Sequence, residues 1–97
     1  MAINKKIILT KIENNKNSIK GFGVKKIGLF GSFAKGKQTK KSDIDILVKF
    51  ERPSFNNYAA LLILLEKILK RKIDLITESS LRPEIAYVKK EAKYARL

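Results

Sequence analysis

A glycine–serine pair, Gly31-Ser32, is followed after ten residues by Asp43-Ile44-Asp45, and a third acid, Asp74, interrupts the apolar run Lys72–Thr77. Each piece has a distinct chemical capacity. Gly31 carries no side chain, so backbone amides next to it can approach a phosphate closely. Ser32 adds a hydroxyl at a place where a short helix can begin, with its unpaired N–H groups turned toward an anion. Asp43 and Asp45 are two residues apart, so on a strand their carboxylates project from one face. Adjacent carboxylates repel unless a cation lies between them, and an all-oxygen donor set favours Mg²⁺ or Mn²⁺. Asp74, read as an ionised group among apolar neighbours, is costly unless paired or metal-bound. If its strand lies beside the Asp43–Asp45 strand, three carboxylates converge. Two divalent ions could then flank a transferring phosphoryl group, with Asp74 poised to help activate an attacking hydroxyl.

Taken singly, these pieces have plainer readings. A Gly-Ser pair is an ordinary turn, an Asp-x-Asp is often the solvated face of an edge strand, and a strand Asp can simply pair with a lysine. Their order along the chain is what favours the functional reading.

The elements that must position them follow from the hydrophobic pattern. Ile3, Ile7, Ile8 and Ile12 recur at helical spacing in residues 3–20, which predicts an amphipathic helix weakened by Asn14, Asn15 and Asn17 and ended by Gly21 and Gly23. Residues 24–30 (VKKIGLF) and 44–50 (IDILVKF) read as strands, as does KIDLIT at 72–77. Ser32 to Gly36 reads as a turn entering a brief helix, and 37–42 as a polar loop. From Phe55 or Asn56 a Leu- and Ala-rich helix runs to about Arg71. It is apolar nearly all round from Tyr58 to Leu65, so it is either sandwiched in the core or presents a face to a partner. Pro83 fits the first turn of a last helix through Lys89. The expected fold is α/β (α+β): a small mixed sheet of about three to four strands flanked by helices.

Composition narrows the chemistry. The 97 residues fit one domain, and a chain this short is a candidate for association. Cysteine and histidine are both absent, which excludes thiol nucleophiles, an imidazole base and the usual zinc sites. Carboxylates, lysines, hydroxyls and a hard cation remain. The longest apolar run, Tyr58 to Leu65, is far short of the ~20 residues of a membrane span, so the cytoplasm is the default location. Net charge is +13, with +10 of it in residues 1–41, where eleven lysines meet only Glu13. Such a half suits a polyanionic partner, although scattered lysines also serve solubility. No aromatic strip interleaves the bases, so sequence-specific nucleic-acid binding is not expected.

The string GSFAKGKQTKKSDIDILVKF resembles the GS-x(10)-DxD signature of the polymerase-β-like nucleotidyltransferases, and GSFAKG…SDIDILV is similar to their smallest prokaryotic members, the minimal nucleotidyltransferase (MNT) domains. The resemblance is strongest over residues 24–50 and extends to Asp74. It implies a single catalytic domain, 1–97, with a polymerase-β-like core. In it Gly31 and Ser32 hold the triphosphate, Asp43 and Asp45 ligate Mg²⁺, and Asp74 is the third catalytic and metal-binding carboxylate. Lys35 is assigned to the nucleotide; the family often has Arg there, whose planar two-point grip a lysine lacks. MNT domains are usually paired with a helical HEPN toxin and act as its antitoxin by moving AMP from ATP to a tyrosine of the toxin. The resemblance therefore implies ATP as substrate, two Mg²⁺ ions and a HEPN-type partner. Alternatives from other classes are an antitoxin that acts by binding alone, a nucleic-acid grip, and a transferase with a small-molecule acceptor.

Overall fold

A computed structural model describes residues 3–97. Its helical opening is divided in two. Helix α1 (Lys5–Asn14) begins where the Asn4 side chain accepts a hydrogen bond from the Ile7 amide at 3.0 Å, satisfying one of the free N–H groups of the first turn. It stops at Asn15, whose side-chain amide donates to the Lys11 carbonyl at 2.8 Å. A second helix, α2 (Lys16–Gly21), follows. The single helix expected over 3–20 is thus broken at the asparagines, because a short amide side chain competes for the backbone. Ile8, Ile12 and Ile19 are fully buried.

Strand β1 (Val24–Phe30) leads directly into a short helix, α3 (Gly31–Lys35), which Gly36 terminates with φ 70°. Strand β2 (Ile44–Phe50) pairs antiparallel with β1, and strand β3 (Ile73–Thr77) pairs parallel with β2. The crossover between β2 and β3 is helix α4 (Phe55–Leu69). Ser54 caps it, its hydroxyl accepting from the Asn57 amide at 3.1 Å. It ends at Lys70 in the left-handed conformation, φ 54°. The Tyr58 hydroxyl donates to the Leu75 carbonyl at 2.6 Å and ties α4 to β3.

The expected last helix is instead a 3₁₀ turn at Pro83–Ile85 followed by α5 (Val88–Glu91); neither buries a residue, so nothing apolar holds the segment in one long helix. A fourth strand, β4 (Lys93–Tyr94), escapes sequence reading. It lies against β1, where the Tyr94 ring occupies the space left by Gly28: a Cβ there would come within 2.9 Å of the ring. The sheet order is β3-β2-β1-β4, a mixed sheet as expected.

Alternation along β2 divides the work between two faces. Ile44, Ile46, Val48 and Phe50 join the core with Leu61, Leu65 and Leu69 of α4 and Ile8 and Ile12 of α1. Asp45 points to the other face. Helix α4 is therefore not sandwiched: one side is core, and Phe55 and Ile63 on the other stay exposed. No helix among the described residues is long and apolar enough to cross a membrane.

Leu65 is fully buried, so Leu65→Ala should cost about 2–5 kcal/mol in stability. Tyr58→Phe, which leaves packing intact, should cost about 1 kcal/mol. Urea denaturation of both variants measures the difference.

Candidate active site

Register assembles the site. In β1–β2 pairing Phe30 sits opposite Asp45, and in β2–β3 pairing Asp45 sits opposite Asp74. The end of β1, which becomes α3, and the starts of β2 and β3 thus meet at one edge of the sheet. Gly31 carries the tightest constraint. Its φ is 72°, and a Cβ on it would fall onto the Asp45 carboxylate, 2.9 Å from Cγ and closer still to Oδ2. Any side chain would be strained by the backbone and would collide with the acid. The free amides at the start of α3 follow at once, with Ser32 among them; Phe30 caps the helix without a side-chain hydrogen bond, so its first N–H groups have no partner within the helix.

Asp45 is half-buried. Its carboxyl is pushed up from 3.8 to about 6, chiefly by burial, then by the charge of Asp74, a side-chain hydrogen bond to Asp74, and the charge of Asp43. Two corrections to the expected site follow. Asp43 is not on the strand; it stands one residue before β2 and is exposed. Asp74 alternates outward from the core side chains Ile73 and Leu75 and is exposed, so burial among apolar groups does not constrain it. The structure brings Asp45 and Asp74 side by side and sets Asp43 at their rim. Among the described residues no three acids are gathered closely enough to enclose a metal ion. The donor set nonetheless suits a hard divalent cation: two carboxylates share one small space, among the described residues no lysine or arginine is paired to either, and a cation would relieve the repulsion that adds to burial in raising the Asp45 pKa.

Lys35 is exposed at the end of α3, where its amine lies 3.6 Å from the Glu91 carboxylate. Arg71 is a site residue that sequence reading missed. Its guanidinium donates to the carbonyls of Ser42 at 2.7 Å and Lys40 at 3.1 Å, and it lies 5.3 Å from the centre of the Phe33 ring. It thereby ties the loop before Asp43 to the chain entering β3, and both to α3. Phe33 itself is buried, so it packs beneath the site and does not line it. Among 22 basic residues nothing in the sequence distinguishes this arginine. An open groove of about 980 Å³ runs behind α3, between Ile7 and Leu69 on one side and Gln38, Lys40 and Arg71 on the other, and includes none of the acids. Asp43 and Asp74 are exposed, and Asp45 is half-buried.

A glycine-gated helix start beside paired acids, on a four-stranded mixed sheet, defines a nucleotidyltransferase. The nucleotidyltransferase domain family matches residues 8–97, and the chain belongs to that family. Among relatives, a Methanocaldococcus jannaschii protein whose protein adenylyltransferase name is provisional is 53% identical over 72 residues, covering 71% of this chain and 70% of its own. The protein adenylyltransferase MntA of Thermococcus cleftensis is 46% identical over 66 residues, 67% of each chain. A solved structure provisionally described as a minimal nucleotidyltransferase superposes with TM-score 0.82 at 28% identity, covering 94% of this chain and 95% of that one. A toxin–antitoxin complex with AMP-PNP gives TM-score 0.66 at 25% identity over 84% and 70% of the two chains. A tri-AMPylated Shewanella oneidensis HEPN toxin in complex with an MNT antitoxin gives 0.61 at 21%, covering 89% and 70%, and shows likeness of fold alone.

Two outcomes test this geometry. The folded Asp45 carboxyl holds its proton more tightly than the unfolded one, so ionisation opposes folding. Its penalty is absent below pH 3.8, grows as pH rises toward 6, and is complete above. Asp45→Asn should therefore stabilise the fold above pH 6, by at most about 1–2 kcal/mol after solvent screening, and be nearly neutral at pH 3.5; thermal melts across this range read it. Gly31→Ala should destabilise at pH 7 by more than the about 1–3 kcal/mol of backbone strain alone, and the excess should return in the double variant Gly31→Ala, Asp45→Gly, which removes the collision and leaves the strain.

Proposed function

We propose that this protein is an adenylyltransferase that moves AMP from ATP to a hydroxyl, a tyrosine's, on a HEPN-type toxin, and that it acts in the cytoplasm as that toxin's antitoxin. The observation that carries the reading is the Gly31–Asp45–Asp74 arrangement: a helix start whose glycine lies against one carboxylate, with a second carboxylate beside it. The relatives' names favour a protein acceptor over the small-molecule alternative. The names of the relatives support the same reaction, and the toxin–antitoxin likeness supports the same kind of partner.

In this reading the amides at the start of α3 and the Ser32 hydroxyl bind the triphosphate, and Gly31 lets it approach. Asp43, Asp45 and Asp74 would hold Mg²⁺, two ions as in the family, with phosphate oxygens and water completing the donor set. Bound there, Mg²⁺ supplies charge stabilisation for the phosphoryl group and the leaving pyrophosphate. The acceptor hydroxyl attacks the α-phosphorus in line with the bridging oxygen to the β-phosphorus. A new O–P bond forms, the Pα–O bond to pyrophosphate breaks, and the hydroxyl proton passes to Asp74. Lys35 exchanges Glu91 for a phosphate oxygen; one exposed ion pair is a weak obstacle.

Calorimetry with ATP should show binding in Mg²⁺ that falls at least ten-fold in excess chelator, and equal affinity in both would remove the metal role. Incubated with ATP, Mg²⁺ and a HEPN-type toxin that it binds, the protein should add about 329 Da per AMP to the toxin by intact mass. Asp43→Asn, Asp45→Asn should still bind the toxin and add nothing. A toxin left unmodified yet equally inhibited by wild type and double variant would leave an antitoxin that works by binding alone.

A further inference from the structure

Residues paired directly across a ladder project from the same face of the sheet. On the face that carries Asp45, β1 and β2 present Phe30 with Asp45, Gly28 with Leu47 and, at the far end, Lys26 with Lys49. Lys49 stands four residues along β2 from Asp45, about 13 Å away. The register slips once, between Val24 and Lys26. Val24 and Ile27 both belong to the core, and the two residues between them are the exposed Lys25 and Lys26. Plain alternation would turn one of these inward; the bulge turns both outward. Three exposed lysines thus share one end of the sheet. Among the described residues none of them is in an ion pair, the pairs there being Lys35–Glu91 and Lys89–Glu78.

Like charges set directly opposite destabilise a ladder, and a bulge that adds another sharpens the repulsion. A bound anion relieves it, and the surroundings narrow its kind. The Tyr94 ring lies over Gly28, the next outward position along β1, and the Lys26 amine is 5.8 Å from its centre. Tyr94 is 38% exposed, so ring surface stays open beside the lysines. On the other flank, a hollow of about 260 Å³ next to Lys49 has Thr77, Ser79 and Lys89 in its walls. Glu78, which also lines it, is held by Lys89 at 3.5 Å, and Glu51, at the bend after β2, is exposed.

Two kinds of anionic chain suit such a row, a nucleic-acid strand and an acidic polypeptide, and the ring separates them. Carboxylates use the lysines alone. An unpaired nucleotide uses both, with its phosphate on a lysine and its base on the ring. A duplex keeps its bases stacked on one another and away from the ring. We propose that this end of the sheet binds single-stranded nucleic acid without sequence preference, Lys25, Lys26 and Lys49 taking phosphates and Tyr94 a base. Sequence reading found no aromatic among the bases because Tyr94 joins this face only through β4, whose pairing with Gly28 spans most of the chain. Binding here is independent of the acids and of the reaction proposed above.

Fluorescence anisotropy of the whole protein with a labelled oligouridylate of about 12 nucleotides, titrated across about 50 to 300 mM KCl, tests the site. Affinity should fall with salt at a log–log slope near −2, for three phosphates at about −0.7 each. Lys25→Gln, Lys26→Gln and Lys49→Gln together should remove most of that slope. Lys5→Gln, Lys6→Gln and Lys16→Gln together remove the same charge from exposed positions on α1 and α2 and should leave the slope nearly intact. Tyr94→Leu should weaken binding at least about five-fold at unchanged slope. In the wild type the Tyr94 ring resonances should shift on binding, a readout that depends on no variant's folding. Equal losses in the two lysine triples would mean diffuse attraction by net charge and overturn the proposal. A duplex of the same length bound as tightly, or a Tyr94 ring unmoved by the bound strand, overturns it too. Polyglutamate bound as tightly as the oligouridylate would give the face to an acidic protein instead.

Discussion

The contact between the Gly31 backbone and the Asp45 carboxylate is the constraint on which the site depends. It joins the residue that turns a strand into a helix to the half-buried acid of β2. Because Phe30 is opposite Asp45 in the ladder, the chain leaves β1 and starts α3 directly against that carboxylate. Glycine is needed twice over, for a φ of 72° and for space. The same closeness half-buries Asp45 and, with Asp74 beside it, raises its pKa to about 6. A carboxylate so placed disfavours its own charge, so burial and the neighbouring acid together oppose its ionisation.

The rest of the fold holds that edge in place. Parallel pairing of β2 and β3 sets Asp74 beside Asp45, and parallel neighbours need a crossover, which α4 provides. Arg71, just beyond that crossover, returns to the carbonyls before Asp43, so the loop carrying the outermost acid is anchored by the element that positions Asp74. The core face, with Ile44, Ile46 and Val48 fully buried, fixes the strand register: a slip of one residue would send Asp45 into the apolar layer.

Much of this was legible in the sequence, for reasons that differ by element. Strands 24–30 and 44–50 were readable because their composition is dense in β-branched and aliphatic residues bounded by glycines and a polar loop. The acids and Gly31 were readable because their types and order are unusual, and the turn after Gly31 did become a helix. What was not legible depended on tertiary contact. Strand β4 exists because Tyr94 fits over Gly28, two residues far apart in the chain. Asp74 looked buried because its sequence neighbours are apolar, yet alternation on the strand turns it to the open face. Asp43 looked like part of the strand, though β2 starts one residue later. Arg71 was hidden among similar cations, since its role is set by the direction of two carbonyls that no residue type announces.

The division of the sheet into two faces carries a last consequence. The isoleucines of α1 and the leucines of α4 lie with most of the core on one side of the sheet, and Asp45 and Asp74 lie on the other, where Leu47 of β2 is also fully buried. Segment 78–92 contains no buried residue, and the ion pair that ties it to α3 is the half-exposed Lys35–Glu91 at 3.6 Å. Such pairs contribute little against water and less at high salt. That segment is therefore the part of the described chain with least to lose by moving, while the register that sets the carboxylates is fixed from behind by the core.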